Sequence, residues 1–354
     1  MGLPSGTYNT TYSKDMAIVR TRFQWGLLIA SLVLLFTLPL GFKSEEWLHL
    51  ANIIGISIVA AQGLNILTGC CGQISLGHAA FMMVGAYTSA WYTVNFGWSF
   101  WVALPLAGLS AGVIGLIFGI PSLRVKGFYL AMATLAAQFI IPWGIRNICP
   151  EFTGGYHTLR VAAPTIGNIT FNTQAEMFYI IMPIACLAIF FAKNLLRTRV
   201  GRAFVAIRDN DLAAEVMGID IFRYKLLAFF ICSVYAGIAG SLWAHWSRIV
   251  ADTHFALYDS IWYLGMVIVR GMGSVMGACA GAAVIRILDV VITRVSPALV
   301  GILPGITTTS DVGVAFKPFF FGLIILVFII FEPRGIAHRW EIWKTSYRLW
   351  PFSY

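Results

Sequence analysis

Charge is what this sequence has least of. Asp, Glu, Lys and Arg make up 11% of its 354 residues, where soluble globular domains carry about 25%. A chain so poor in charge cannot turn its whole surface to water. Acids are rarer still inside the apolar runs, and Asp289 is the one that falls well within one. A carrier driven by protons or sodium usually keeps ionisable groups in its helices, so a self-sufficient secondary transporter has little support. Arg286 lies one turn before Asp289, which reads as an ion pair near a helix end or, alternatively, as a proton relay.

Other absences exclude further classes. There is no Gly-Lys dipeptide, hence no GxxxxGK[ST] loop to cradle phosphates. If the chain moves a solute against a gradient, another subunit supplies the energy. HExxH, a nucleophile–base motif and a carboxylate pair within an apolar run are all missing, so no catalytic residue, metal or cofactor is expected. The six cysteines, Cys70, Cys71, Cys149, Cys186, Cys232 and Cys279, have no metal-ligand spacing. Cys70 and Cys71 are adjacent and poorly placed to bridge each other. They read as small buried hydrophobes.

What is abundant is apolar length. Hydrophobic residues make up 59% of the chain, and the mean hydropathy is +0.80. Apolar runs able to cross about 30 Å of hydrocarbon as helices recur at 24–42, 47–68, 78–96, 99–120, 127–145, 176–192, 225–246, 259–271, 274–293 and 318–332. The expected fold is an all-α polytopic membrane helix bundle, one domain over 1–354 with about ten transmembrane helices. The short eighth run read as a re-entrant hairpin with the ninth leaves eight. The first run, after Arg20 and Arg22, is too long for a signal-peptide core and lacks a small-x-small cleavage site, so it reads as an uncleaved anchor.

Lys and Arg set the orientation. With the N-terminus in the cytoplasm, sixteen of them collect on the cytoplasmic side and six outside. Both ends are then cytoplasmic, with 333–354 as a cytoplasmic tail and the loop 146–175, including Cys149, facing out. The net charge of +9 is a topology signal and not a nucleic-acid footprint.

Three features carry information. The connection 193–225, KNLLRTRVGRAFVAIRDNDLAAEVMGIDIFRYK, holds seven basic and four acidic residues. Phe204 and Ile207 mark an apolar face on a first short helix, Asn210 or Asp211 caps a second, and Gly218 suits a left-handed stop. The segment reads either as a solvated linker or as a docking element, the latter because Leu212, Ala213, Ala214, Val216 and Met217 form an apolar surface. The second feature is glycine spacing. Gly108 with Gly112, Gly115 with Gly119, and the run Gly273, Gly277 and Gly281 let helix backbones approach closely, either within the subunit or against a second one. The third is the stretch GLNILTGCCGQISLGHAAFMMVGAY at 63–87. Gly69, Gly72 and Gly77, with Gln73, Ser75 and His78, interrupt an apolar helix without a single charge. A break of this kind either exposes backbone and the start of the next helix to a passing zwitterion or makes a cytoplasmic turn that packs against another subunit.

These residues resemble the LivM-type permease subunits of branched-chain amino acid ABC importers. The likeness continues in PSLRVKGFYLAMATLA at 121–136, TGG at 153–155, GRAFVAIRDNDLAAEVMGIDIFRYKLLAFFICSVYAGIAGSLWA at 201–244, GMGSVMGACAGAA at 271–283 and FEPRGIA at 331–337. It implies a bacterial inner-membrane importer subunit in membrane lipid. A second homologous permease, two cytoplasmic ATPases and a periplasmic solute-binding protein would be its partners. It also implies that 193–225 is the loop that couples to the ATPase. Ala213, Ala214 and Gly218 match the AA-xxx-G part of the family's EAA-xxx-G loop. Leu212 stands at the Glu position, with Asp211 and Glu215 beside it. The substrates implied are branched-chain or related amino acids, with urea, amides or aromatic acids as alternatives.

Overall fold

The computed structural model describes residues 22–41, 44–122, 128–148, 158–166, 169–271, 273–300, 318–323 and 325–327, with the isolated positions 150, 330 and 346. Cys149, the TGG at 153–155 and most of 333–354 lie outside these residues. Helices dominate: α1 (Arg22–Gly41), α2 (Glu45–Leu64), α3 (His78–Asn95), α4 (Phe100–Ser122), α5 (Phe128–Asn147), α6 (Gln174–Arg197), α7 (Arg199–Asp209), α8 (Asp211–Val216), α9 (Ile221–Ser247), α10 (Leu257–Arg270) and α11 (Val275–Val300). A π-helical turn, Asn65–Cys70, extends α2, and a 3-10 turn, Asp252–Phe255, precedes α10. The first nine expected spans each overlap a helix, but α9 begins four residues early and α6 and α11 run five and seven residues past the expected ends, while the tenth run, 318–332, lies partly outside the described residues. Among the described residues, five helices are long and apolar enough to cross a membrane: Glu45–Cys70, Phe100–Pro121, Gln174–Arg197, Ile221–Ser247 and Val275–Arg294. With 14 residues, α10 rises about 21 Å and falls short of the hydrocarbon thickness of about 30 Å, as expected for a broken segment.

Local chemistry sets several boundaries. Thr173 and Glu176 form a reciprocal capping box at the start of α6, which satisfies two amides that have no helical partner. The side chain of Asp220 accepts from Arg223 N (3.1 Å) and starts α9.

The centre of the bundle is α9, held between α3 and α4. Phe81 and Phe229 meet edge to face at 5.6 Å. Glycines let α3 and α9 run in backbone contact: a Cβ on Gly85 would strike Gly237, and one on Gly240 would strike the carbonyl of Met82. Outward-facing apolar side chains such as Leu34, Leu187 and Phe191 remain exposed, a surface suited to lipid.

The two ends of the bundle are built from different loops. At one end two short strands, β1 (Leu159–Arg160) and β4 (Ile249–Val250), pair antiparallel. Strands β2 (Thr165–Ile166) and β3 (Ile169–Thr170) form a hairpin in the same α5–α6 connection. At the other end α7, the π-turn and the bend before α11 come together. These are the two sets of connections that the charge count assigns to opposite sides of the membrane.

Candidate functional site

The connection between α6 and α9 folds as a helix pair, on the residues expected to shape it. Thr198 caps α7, while Phe204 and Ile207 turn inward and are buried. The Asn210 side chain accepts from Ala213 N (3.1 Å) and caps α8. Gly218 stops it at φ +82°, a conformation that glycine adopts without a Cβ penalty, and Ile219 N donates back to Ala214 O (3.0 Å). The exposed apolar surface differs in one respect from the expected one. Ala214 is 3% exposed and packs into its own chain, whereas Leu212, Val216 and Met217 are 65%, 87% and 81% exposed. On a helix, 212 and 216 are neighbours four apart, so the open face is carried by these three and not by Ala214. Ala213, Glu215 and Gly218 are also exposed.

The break after α2 begins with the π-turn and continues non-helically from Cys71 to Gly77. Gly72 has φ +73°, so a side chain there is strained. Gly77 is different. Its φ is −102°, so it is not held by backbone conformation. A Cβ there would lie 2.6 Å from the Thr134 carbonyl, and close approach is the reason for glycine. Gly69 likewise abuts Asn65 and Gly273.

This break touches the helix pair directly. Arg208 of α7 donates from Nη1 to Gly69 O (3.1 Å) and pairs with Asp209 (2.8 Å). The bend before α11 closes the joint. Gly273 N donates to Asn65 Oδ1 (2.9 Å), and Gln62 Nε2 donates to Val275 O (2.8 Å) and Cys279 Sγ (3.0 Å). Three elements distant in sequence thus share one hydrogen-bonded joint.

Beyond the joint the chain returns into the bundle. Leu76 N donates to Thr134 Oγ1 (3.0 Å), Ala79 N to Ser260 Oγ (2.9 Å) and Ala80 N to Gln138 Oε1 (3.0 Å). The amides at the start of α3, expected to be free for a solute, are therefore held by side chains of α10 and α5. Ser75 and His78 are buried, and His78 Nδ1 lies 3.6 Å from Cys232 Sγ. Gln73 is buried too, and neither end of its amide has a partner. Among the described residues no group of His, Cys, Asp or Glu is arranged to hold a metal.

The chain matches the family described as "Branched-chain amino acid transport system / permease component" over residues 46–329. It belongs to that family. It is similar to the high-affinity branched-chain amino acid transport system permease protein LivM of Escherichia coli, 32% identical over 271 residues, 70% of this chain and 63% of that one. The chain thus spans less than two thirds of that relative's length. A probable branched-chain amino acid transport permease protein LivM of Methanocaldococcus jannaschii is 26% identical over 250 residues, 66% of this chain and 67% of that protein. A guanosine ABC transporter permease protein, NupQ, of Bacillus subtilis is 23% identical over 229 residues, 60% and 70% of the two chains. No solved structure matches the chain.

Within this permease family member the glycine stripes have separate uses. Gly108, Gly112, Gly115 and Gly119 all face α9 of the same chain, against Ile238, Val234, Phe230, Ser233 and Phe229. Gly273 is not part of a helical stripe with Gly277 and Gly281. It sits in the turn before α11 with φ +89°, and Gly277 lies against Ser274 of its own first turn, while Gly281 is buried in α11. The close backbone contacts at Gly85, Gly237 and Gly240 were not singled out from sequence. No pair among them has the four-residue spacing that marks a helix-packing face.

Proposed function

We propose that the chain is the transmembrane permease subunit of an ATP-driven importer of branched-chain amino acids. It works with a second homologous permease, two cytoplasmic ATPase subunits and a periplasmic solute-binding protein. It lies in the bacterial inner membrane with both termini in the cytoplasm, and it performs no chemistry itself. The observation that carries this reading is the exposed apolar tip of α8, displayed at the same end of the bundle as the hydrogen-bonded joint, on a chain with no nucleotide loop of its own. The tip is shaped to enter an ATPase groove. Arg208, two residues before the cap of α8, then passes movement to Gly69 and to the bend before α11. The segment 69–78 serves as the hinge of the path, and Gln73 is the residue in it left to meet solute.

The branched-chain substrate is tested by competition. In cells whose leucine uptake depends on this chain, excess isoleucine or valine should cut labelled leucine uptake at least tenfold, and guanosine, urea and phenylalanine should not. Competition by guanosine alone would place the chain with the nucleoside permeases.

A further inference from the structure

Away from the joint, the bundle holds a partly open polar cavity of about 260 Å³, lined by Met82, Trp243, Phe255, Asp259, Tyr263 and Arg286 among others. Its two charged residues sit at one depth. Arg286 lies 11 residues beyond Val275, the start of α11, and Asp259 lies 11 residues before Arg270, the end of α10. Each offset is a rise of about 16 Å from the same bend, close to half of the hydrocarbon thickness of about 30 Å. Ionisable groups at such depth are costly and mark solute pathways.

The two charges act on each other across the cavity without touching. Among the described residues no ion pair joins Asp259 to Arg286. Arg286 donates from Nε to Ser57 Oγ (2.7 Å) and from Nη2 toward Tyr263 Oη (3.4 Å), which leaves further donors on a guanidinium that has five. Asp259 Oδ2 accepts from Ala256 N (3.0 Å) at the start of α10. On the same wall, the indole Nε1 of Trp243 is buried without a partner. The cavity thus holds a cation and an anion apart, with Met82, Trp243 and Phe255 as apolar wall. At about 260 Å³ it has room for a small solute.

We propose that this cavity is the resting point of the amino acid zwitterion within the membrane. Arg286 takes the α-carboxylate, Asp259 the α-ammonium, and Met82, Trp243 and Phe255 receive the branched side chain. This deepens the amino acid reading above and rests on it. A zwitterion satisfies both charges at once, whereas a neutral solute leaves both desolvated and unpaired. The cavity therefore selects by charge pattern after the binding protein has released its cargo.

The test uses the full complex of both permeases, ATPases and binding protein in proteoliposomes, illuminated during turnover with photo-leucine, a diazirine analogue that keeps both charges. Adducts should map to Met82, Trp243 or Phe255, and excess leucine should suppress them. Arg286→Gln and Asp259→Asn should each lower the adduct yield at least tenfold, and Arg286→Lys should restore part of it. The adduct map of the unaltered complex stands whether or not the variants assemble. Adducts confined to other segments, in a complex that imports leucine, would overturn the site alone. Failure of the unaltered complex to import leucine would overturn the substrate reading and the site with it.

Discussion

Exchanging Val216 and Met217 for glutamate together should abolish uptake while the permease still inserts and folds. Both side chains are more than four-fifths exposed, so the isolated chain loses no packing. An interface that covers them would have to bury two carboxylates. Burying an unpaired charge costs several kcal/mol, and at 1.4 kcal/mol per factor of ten ATPase association should weaken by roughly two orders of magnitude or more. Co-purification of the ATPase subunits with the tagged permease reads this directly. Ala214→Arg is the poorer test, because Ala214 is packed inside its own chain and its loss of function would report misfolding. Normal ATPase recovery in the double variant would move the docking surface elsewhere, with the connection after α4 as the next candidate.

Gly240→Leu should remove the folded permease altogether. Its Cβ would fall on the Met82 carbonyl, with the Ala86 amide 3.0 Å away, and helix backbone cannot step aside as a side chain can. Overpacking a filled core costs about 1–3 kcal/mol even where side chains absorb it, so a backbone clash between two central helices should exceed that. In detergent the variant should show no cooperative thermal transition and little recovered protein. Gly26→Ala is the informative contrast. Gly26 lies in α1 with nothing within 4 Å of its Cβ position, so that change should be neutral, or stabilising by about 1 kcal/mol from helix propensity. If Gly240→Leu were recovered in normal amounts, the α3–α9 contact would not be the spine of the fold.

The helices were legible because lipid demands long apolar runs, and their ends were legible where a capping residue stands, as at Asn210 and Gly218. The break at 69–78 was legible from its glycines. Its role was not, since that depends on Arg208 and Gly273, which are distant in sequence. Gly77 shows the limit of reading glycine as turn chemistry, for what it avoids is the Thr134 carbonyl. Asp259 was passed over because it stands at the edge of a short apolar run. Only the fold shows that this edge lines one cavity with Arg286. Arg286 was read with Asp289, its neighbour in sequence, and the fold adds donation to Ser57 Oγ and toward Tyr263 Oη, which are distant in sequence.

The central claim is that this chain forms a path whose energy comes from separate ATPase subunits. The most direct measurement is labelled leucine uptake into proteoliposomes holding the complete complex, with binding protein outside and ATP sealed inside. Uptake should require internal ATP, stop with a non-hydrolysable analogue, and be indifferent to proton and sodium ionophores. Uptake that proceeds without ATP and collapses with an ionophore would contradict the account and make the chain a gradient-driven carrier.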